Sequence, residues 1–196
     1  MTNSVKTGLT PSRMRGGSPF SGAVVEYPIA NAYGTALYKG DPVKLSGGVV
    51  VRAESSIGSD PLLGVFQGCQ YIDPATGQLV IASYFPASTS SAGSINGTAS
   101  PLALVVTDPD VTYLVQANTT VTLGMVGSRY RLSIGTGSAR TGQSAAVLDT
   151  ALTVDASSGA HVRIVGFYNI PNQTLGSTDD TVVEVVLTST GFIGLQ

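Results

Sequence analysis

Apolar and polar positions in this chain fall into short extended runs separated by glycine, proline and aspartate, with no sustained helical period. The clearest unit is ALYKGDPVKLSGGVVVRAE, residues 36–54. Tyr38 to Pro42 reads as a turn, Val43 to Leu45 as a short strand, Gly47-Gly48 as a hairpin turn and Val49 to Ala53 as the returning strand. Paired glycines supply the positive φ that a two-residue hairpin turn requires, and three successive valines favour extended backbone. After a polar gap the unit closes with PLLGVF, ending at Phe66.

The same pattern places the other elements. Ala23 to Ile29 is a first strand, confined to an edge or an end by Pro28, which cannot donate to a ladder. Leu62 to Ile72, with Gly64 and Gly68 marking bulges or close backbone approach, pairs through the turn at residues 73–77 with Gln78 to Tyr84, a second hairpin. Residues 86–101, rich in Ser, Ala, Gly and Thr, read as a flexible loop or spacer. Leu102 to Val106 and Thr112 to Gln116 flank a turn at Asp108-Pro109-Asp110.

Asn118 to Ser128 is the one place for a short helix, with Asn118 or Thr119 as its cap and Gly127 as its end. Tyr130 to Ile134 and Ser144 to Leu148 are strands around a glycine-rich loop. Val162 to Tyr168 and Thr181 to Thr188 are the strongest strands, and their nearly continuous apolar character implies burial on both faces or in a subunit interface. The expected fold is all-β, a small β-barrel or sandwich with an extended N-terminal arm and at most one short helix.

Composition supports one β-rich domain with an appended arm. At 196 residues the chain can bury roughly two-thirds of its unfolded surface. Only 11% of residues are charged and 24 are glycine, as expected of tight-turned β structure that gives surface to subunit contacts. The net charge of −2 disfavours nucleic acid, whose binding rests on many cations facing phosphates. Residues 1–22 carry Lys6, Arg13 and Arg15 with no acid, a charge of +3, whereas residues 23–196 hold 7 basic and 12 acidic residues, a charge of −5. That split predicts a basic arm lying on its own body, a neighbouring subunit or a larger assembly, beside a β-rich domain over 23–196. The N-terminus has no apolar signal core, and no run approaches the ~20 apolar residues of a membrane span, so no membrane partner is expected.

The order Gly-Asp-Pro-Val (40–43), Gly-Gly turn (47–48), valine strand ending in Arg52-Ala53, then Leu-Gly-Val-Phe (63–66) resembles the opening of the head-decoration, or cement, proteins of tailed bacteriophages. The similarity extends weakly through Val121 to Ile134, Ala160 to Tyr168 and Thr181 to Thr188. The resemblance implies a small β-barrel on the outer surface of the virion capsid, usually a homotrimer, that staples neighbouring copies of the major capsid protein. It implies no catalysis and no cofactor. Under that reading the expected contacts to the shell or a neighbouring subunit are Lys6, Arg13, Arg15 and Phe20 of the arm, with Tyr27, Tyr33 and Tyr38 as weaker candidates.

Residues that hint at chemistry stand alone. Gly137 to Ser144 has the spacing of a phosphate-cradling loop, but Gln143 stands where that loop needs Lys, so a glycine-rich β-connection is expected. His161 is the single histidine, which excludes a histidine metal cluster, and it is expected in a turn or at the surface. Cys69 is the single cysteine, expected as a small apolar strand residue. Asp108 with Asp110 and Asp179 with Asp180 are carboxylate pairs in turns, where Asp is favoured for its bonds to backbone. The rival from another class is a tail-fibre or receptor-binding β-module recognising a host surface glycan, which an aromatic-lined shallow site or internal repeats would favour.

Overall fold

The structure is a computed structural model that describes residues 6–54, 61–153, 160–168, 176 and 181–188. Its strands, in chain order, begin with β1 (Thr10–Met14), β2 (Val25–Pro28), β3 (Leu37–Tyr38), β4 (Pro42–Ser46) and β5 (Val49–Arg52). The two hairpin regions end with β6 (Gly64–Ile72), β7 (Leu79–Ala82) and β8 (Tyr84–Phe85). Then follow β9 (Leu102–Val106), β10 (Val111–Gln116), β11 (Arg129–Ser133), β12 (Val147–Thr153), β13 (Val162–Phe167) and β14 (Val182–Leu187). The expected all-β class holds.

The strands make two antiparallel sheets and a small ribbon. The first sheet has the order β2-β9-β6-β4-β5, with β7 also paired to β6, and β3 pairs with β8 beside it. Gly47 and Gly48 (φ +58° and +83°) turn the β4–β5 hairpin, the positive-φ pair that the sequence demands there. The ends of this path, β2 and β5, come together, and the Arg52 N–H donates to the Tyr33 hydroxyl at 3.1 Å. The curled sheet encloses Ile29, Leu37, Val43, Phe66, Cys69, Phe85 and Val105. Cys69 is buried, as expected.

The second sheet has the order β1-β10-β14-β13-β11-β12. It also curls on itself. A parallel bridge joins Ala117, just past β10, to Leu148 of β12, and the Asn118 N–H donates to the Leu148 carbonyl at 2.9 Å. Inside lie Tyr113, Val115, Tyr130, Leu132, Leu148, Ile164 and Val185, with Val65 and Val106 of the first sheet closing one end. Residues 107–110 carry the chain from one barrel-like sheet to the other, held by an Asp110 N–H to Asp108 Oδ1 bond at 2.8 Å.

Several expectations change. The N-terminal segment does not stand off as an arm along its described length: β1 pairs antiparallel with β10, and Leu9 is fully buried in the second core. Its apolar Leu9, Met14 and Phe20 find that core, which draws the strand between them into the ladder. The short helix shrinks to a single 3-10 turn, Leu123–Met125, because Val121 is buried in the core and Asn118 bonds across to Thr150 and Asp149 instead of capping. Of the two strongest strands, β14 is buried on both faces, whereas β13 alternates and leaves Arg163 and Val165 outside. The loop 86–101 forms no long strand but is tied down: the Ala92 N–H donates to Ile72 O, and Asn31 bonds both Ser91 and Ala99. Asp179 and Asp180 lie outside the described residues.

Candidate functional site

Residues 38–41, the loop between β11 and β12 and the start of the described chain meet at the junction of the two sheets. After Tyr38 the chain turns so that the fully buried Asp41 points back: its Oδ2 accepts the Tyr38 N–H at 2.9 Å and its Oδ1 accepts the Ser144 hydroxyl. Ser144 Oγ in turn accepts the Ala146 N–H at 3.0 Å. The Lys39 N–H donates to Gly142 O and the Ser144 N–H to Lys39 O, both at 2.9 Å, so the loop between β11 and β12 clasps the turn before β4. From the same turn, Gly40 O accepts the Leu9 N–H at 3.0 Å while the Gly40 N–H donates to Phe66 O at 2.8 Å.

Two glycines make this packing feasible. Gly8 and Gly40 both have positive φ, and a Cβ on either would sit 2.6 Å from a carbonyl oxygen of the other strand, Gly40 O or Thr7 O respectively. Burial pushes the Asp41 carboxyl above the ordinary carboxylate range, opposed by the Ser144 hydroxyl, the Tyr38 N–H and the field of Arg52. A carboxylate holding fixed N–H and O–H donors in this way joins chain segments.

The residues expected to reach a partner divide. Lys6 is exposed. Arg13 lies on β1 and donates to Glu184 of β14 at 2.5 Å, where the carboxylate is only 7% exposed. The Arg15 backbone N–H donates to the Asp110 backbone carbonyl at 2.6 Å, and its guanidinium stands 4.0 Å from the Asp110 carboxylate. Of the three surfaces left open for the basic segment, its own body receives these two arginines. Phe20 packs against the second core, and Tyr27 and Tyr33 against the first. Tyr38 is buried and stacked on Tyr84 at 5.8 Å between ring centres, so it is a structural ring rather than a contact surface.

No known family, curated protein or solved structure matches this chain.

The isolated chemical candidates have structural settings. His161 is buried, not at the surface: the ladder between β11 and β13 brings its Nδ1 to the Leu132 N–H at 2.9 Å. Burial and the nearby Arg131 hold its pKa down to about 4. Among the described residues no three His, Cys, Asp or Glu side chains gather to hold a metal. The Gly137–Ser144 loop is the β11–β12 connection, and Gly137 has that role because a Cβ there would meet the Tyr38 ring at 2.5 Å. The Asp41–Ser144 pairing was not readable in advance. Gly-Asp-Pro and Gly-Gln-Ser each read as a turn, and nothing local says that they bond across 103 positions.

One surface feature stands apart. Strand β7 pairs with β6 alone among the described strands, and its Leu79 and Ile81 are 56% and 69% exposed. It carries none of the Lys or Pro residues that ordinarily guard an exposed sheet edge.

Proposed function

We propose that this protein is a structural virion component that decorates the outer surface of an icosahedral phage capsid and staples neighbouring copies of the major capsid protein, as a homotrimer and without catalysis. The observation that supports this reading most is the placement of residues 36–66. The stretch that resembles decoration proteins is where both sheets and the N-terminal segment are joined. Buried hydrogen-bonding capacity there serves to fix two barrel-like bodies to each other, which suits a protein whose work is mechanical.

An unguarded apolar edge at β7 and a low overall charge favour burial against protein partners over free existence in water. The stapling is non-covalent. A shell strained by packed DNA opens at seams between capsomers, and a symmetric oligomer spanning a seam adds buried area on both sides. A standard interface buries about 1,600 Å², and repetition over many sites converts moderate affinity into shell stability.

The test is addition of purified protein to heads made without it. Saturable binding and a higher head melting temperature are expected. Protein that leaves the heads unchanged and instead binds a host surface glycan contradicts the proposal in favour of a receptor-binding module. Deleting residues 1–22 is a poor probe, because it removes β1 and Leu9 from the fold.

A further inference from the structure

We infer that the outer face of β11 and β13 is the surface that docks a carboxylate-rich protein partner, through Arg129 and Arg163 flanked by exposed Val165, Val126 and Leu123. This inference rests on the decoration reading, which supplies the partner as the outer surface of the shell.

The geometry begins with register. Arg129 of β11 stands directly opposite Arg163 of β13, so two guanidinium side chains leave the same face of adjacent strands, ~4.8 Å apart at the backbone. Directly opposed like charges destabilise a sheet. Neither arginine has an ion pair among the described residues, where Glu184 and Asp110 are taken by Arg13 and Arg15. Two cations kept face to face on an acidic protein, at a cost to the sheet, are best explained by an anion that arrives from outside.

The surroundings specify the kind of anion. The ladder continues past Arg129, with the Gly127 N–H donating to Ile164 O at 2.9 Å and the Ile164 N–H to Ser128 O at 3.2 Å. That pairing brings the residues just after the 3-10 turn alongside β13, and the Val126 N–H donates back to Leu123 O, so exposed Val126 and Leu123 (72% exposed) continue the ladder that holds Arg129, Arg163 and Val165. Phosphate backbones offer nothing to such apolar side chains. An acidic protein surface offers carboxylates for bidentate Arg pairing together with apolar area, and Arg among apolar residues is the composition of an interface centre. The nearly continuous apolar character of 162–168 then finds its second cover in the partner.

Charge reversal at one position separates binding from folding. In R163E the new carboxylate faces Arg129, turning a like-charge pair into an opposite-charge pair. The isolated variant should melt at or above wild type, by about 1–3 °C. Its affinity for heads lacking the protein should fall by about tenfold or more, and wild-type binding should weaken with added salt. R163E that binds heads as wild type does overturns the inference while leaving the decoration reading intact. A variant that melts lower than wild type assigns Arg163 to folding and also overturns it. Loss of the oligomer mass assigns the face to contacts between copies, again against the inference. Wild-type protein that ignores the heads removes the decoration reading and this inference together.

Discussion

The two barrel-like sheets differ most in what they bury. Among the described residues between 23 and 106 the interior is almost wholly apolar, and Asp41 is the one fully buried charged group there, placed at the edge where the other sheet begins. The second sheet buries Thr112, Gln116, Thr150, His161, Thr181 and Glu184 along with its aliphatic core. Its strands also come from distant parts of the chain, since β1 joins β10. The first sheet contains two local hairpins, β4–β5 and β6–β7, while β12, β13 and β14 of the second are gathered around polar groups that must each find a partner. A locally built apolar body is set by turns; a body that buries polar groups beside its aliphatic core is set also by who pairs with whom, and its stability follows pH and single charges.

That contrast can be broken most severely on the first side, by steric means. Gly64 lies where β6 passes β9, and a Cβ there would stand 2.0 Å from the Val106 carbonyl oxygen. G64A should lose about 3–5 kcal/mol in urea unfolding, because two backbones would have to separate. A loss below about 1 kcal/mol would show that the contact relaxes easily.

The second side should be the acid-sensitive one. His161 folded has a pKa of about 4 against 6.5 in an unfolded chain, so the unfolded state binds the proton more tightly. Stability from this group is complete above pH 6.5 and is lost as pH falls toward 4. The difference corresponds to roughly 3 kcal/mol at about 1.36 kcal/mol per pH unit. H161Q should flatten the stability profile across that window, measured by chemical denaturation at several pH values. Asp41 acts in the opposite sense: its folded pKa is raised above 3.8, so its contribution is present at low pH and declines as pH rises through the raised value. An unchanged slope in H161Q would mean that the histidine opens to water before it titrates.

Smaller effects sharpen the same distinction. R13A leaves Glu184 nearly buried without its cation and should cost about 1–3 kcal/mol, more than an exposed ion pair would, as read from denaturant midpoints. Y113F should be neutral or raise stability by about 0.5–1 kcal/mol, since the Tyr113 hydroxyl is buried with no hydrogen-bond partner among the described residues. Clear destabilisation by Y113F would reveal a partner for that hydroxyl.

The same difference decides how much the sequence could reveal. Hairpins at 43–52 and 64–82 were legible because Gly47-Gly48 and the 73–77 turn encode both the strands and their partnership. Pro28 correctly marked an edge, as β2 ends its sheet. For the second sheet the pattern identifies β10, β11, β13 and β14 but not their order, because alternation fixes which face is buried and carries no information about the neighbour. Thus Thr10–Met14 reads as part of an extended arm when it is an edge strand, and His161 reads as a turn or surface residue when ladder geometry buries it. Among candidate contacts, charge asymmetry drew attention to Arg13 and Arg15, which are engaged with Glu184 and Asp110. Arg129 and Arg163 stand on separate strands far apart in the sequence, and nothing local in either run says that the two strands are neighbours.

The most direct test of an assembly role is the mass of the purified protein in solution by light scattering. The account predicts a particle of about three chains of 19.9 kDa each, stable on dilution through the micromolar range. A single 19.9 kDa species throughout that range would contradict it.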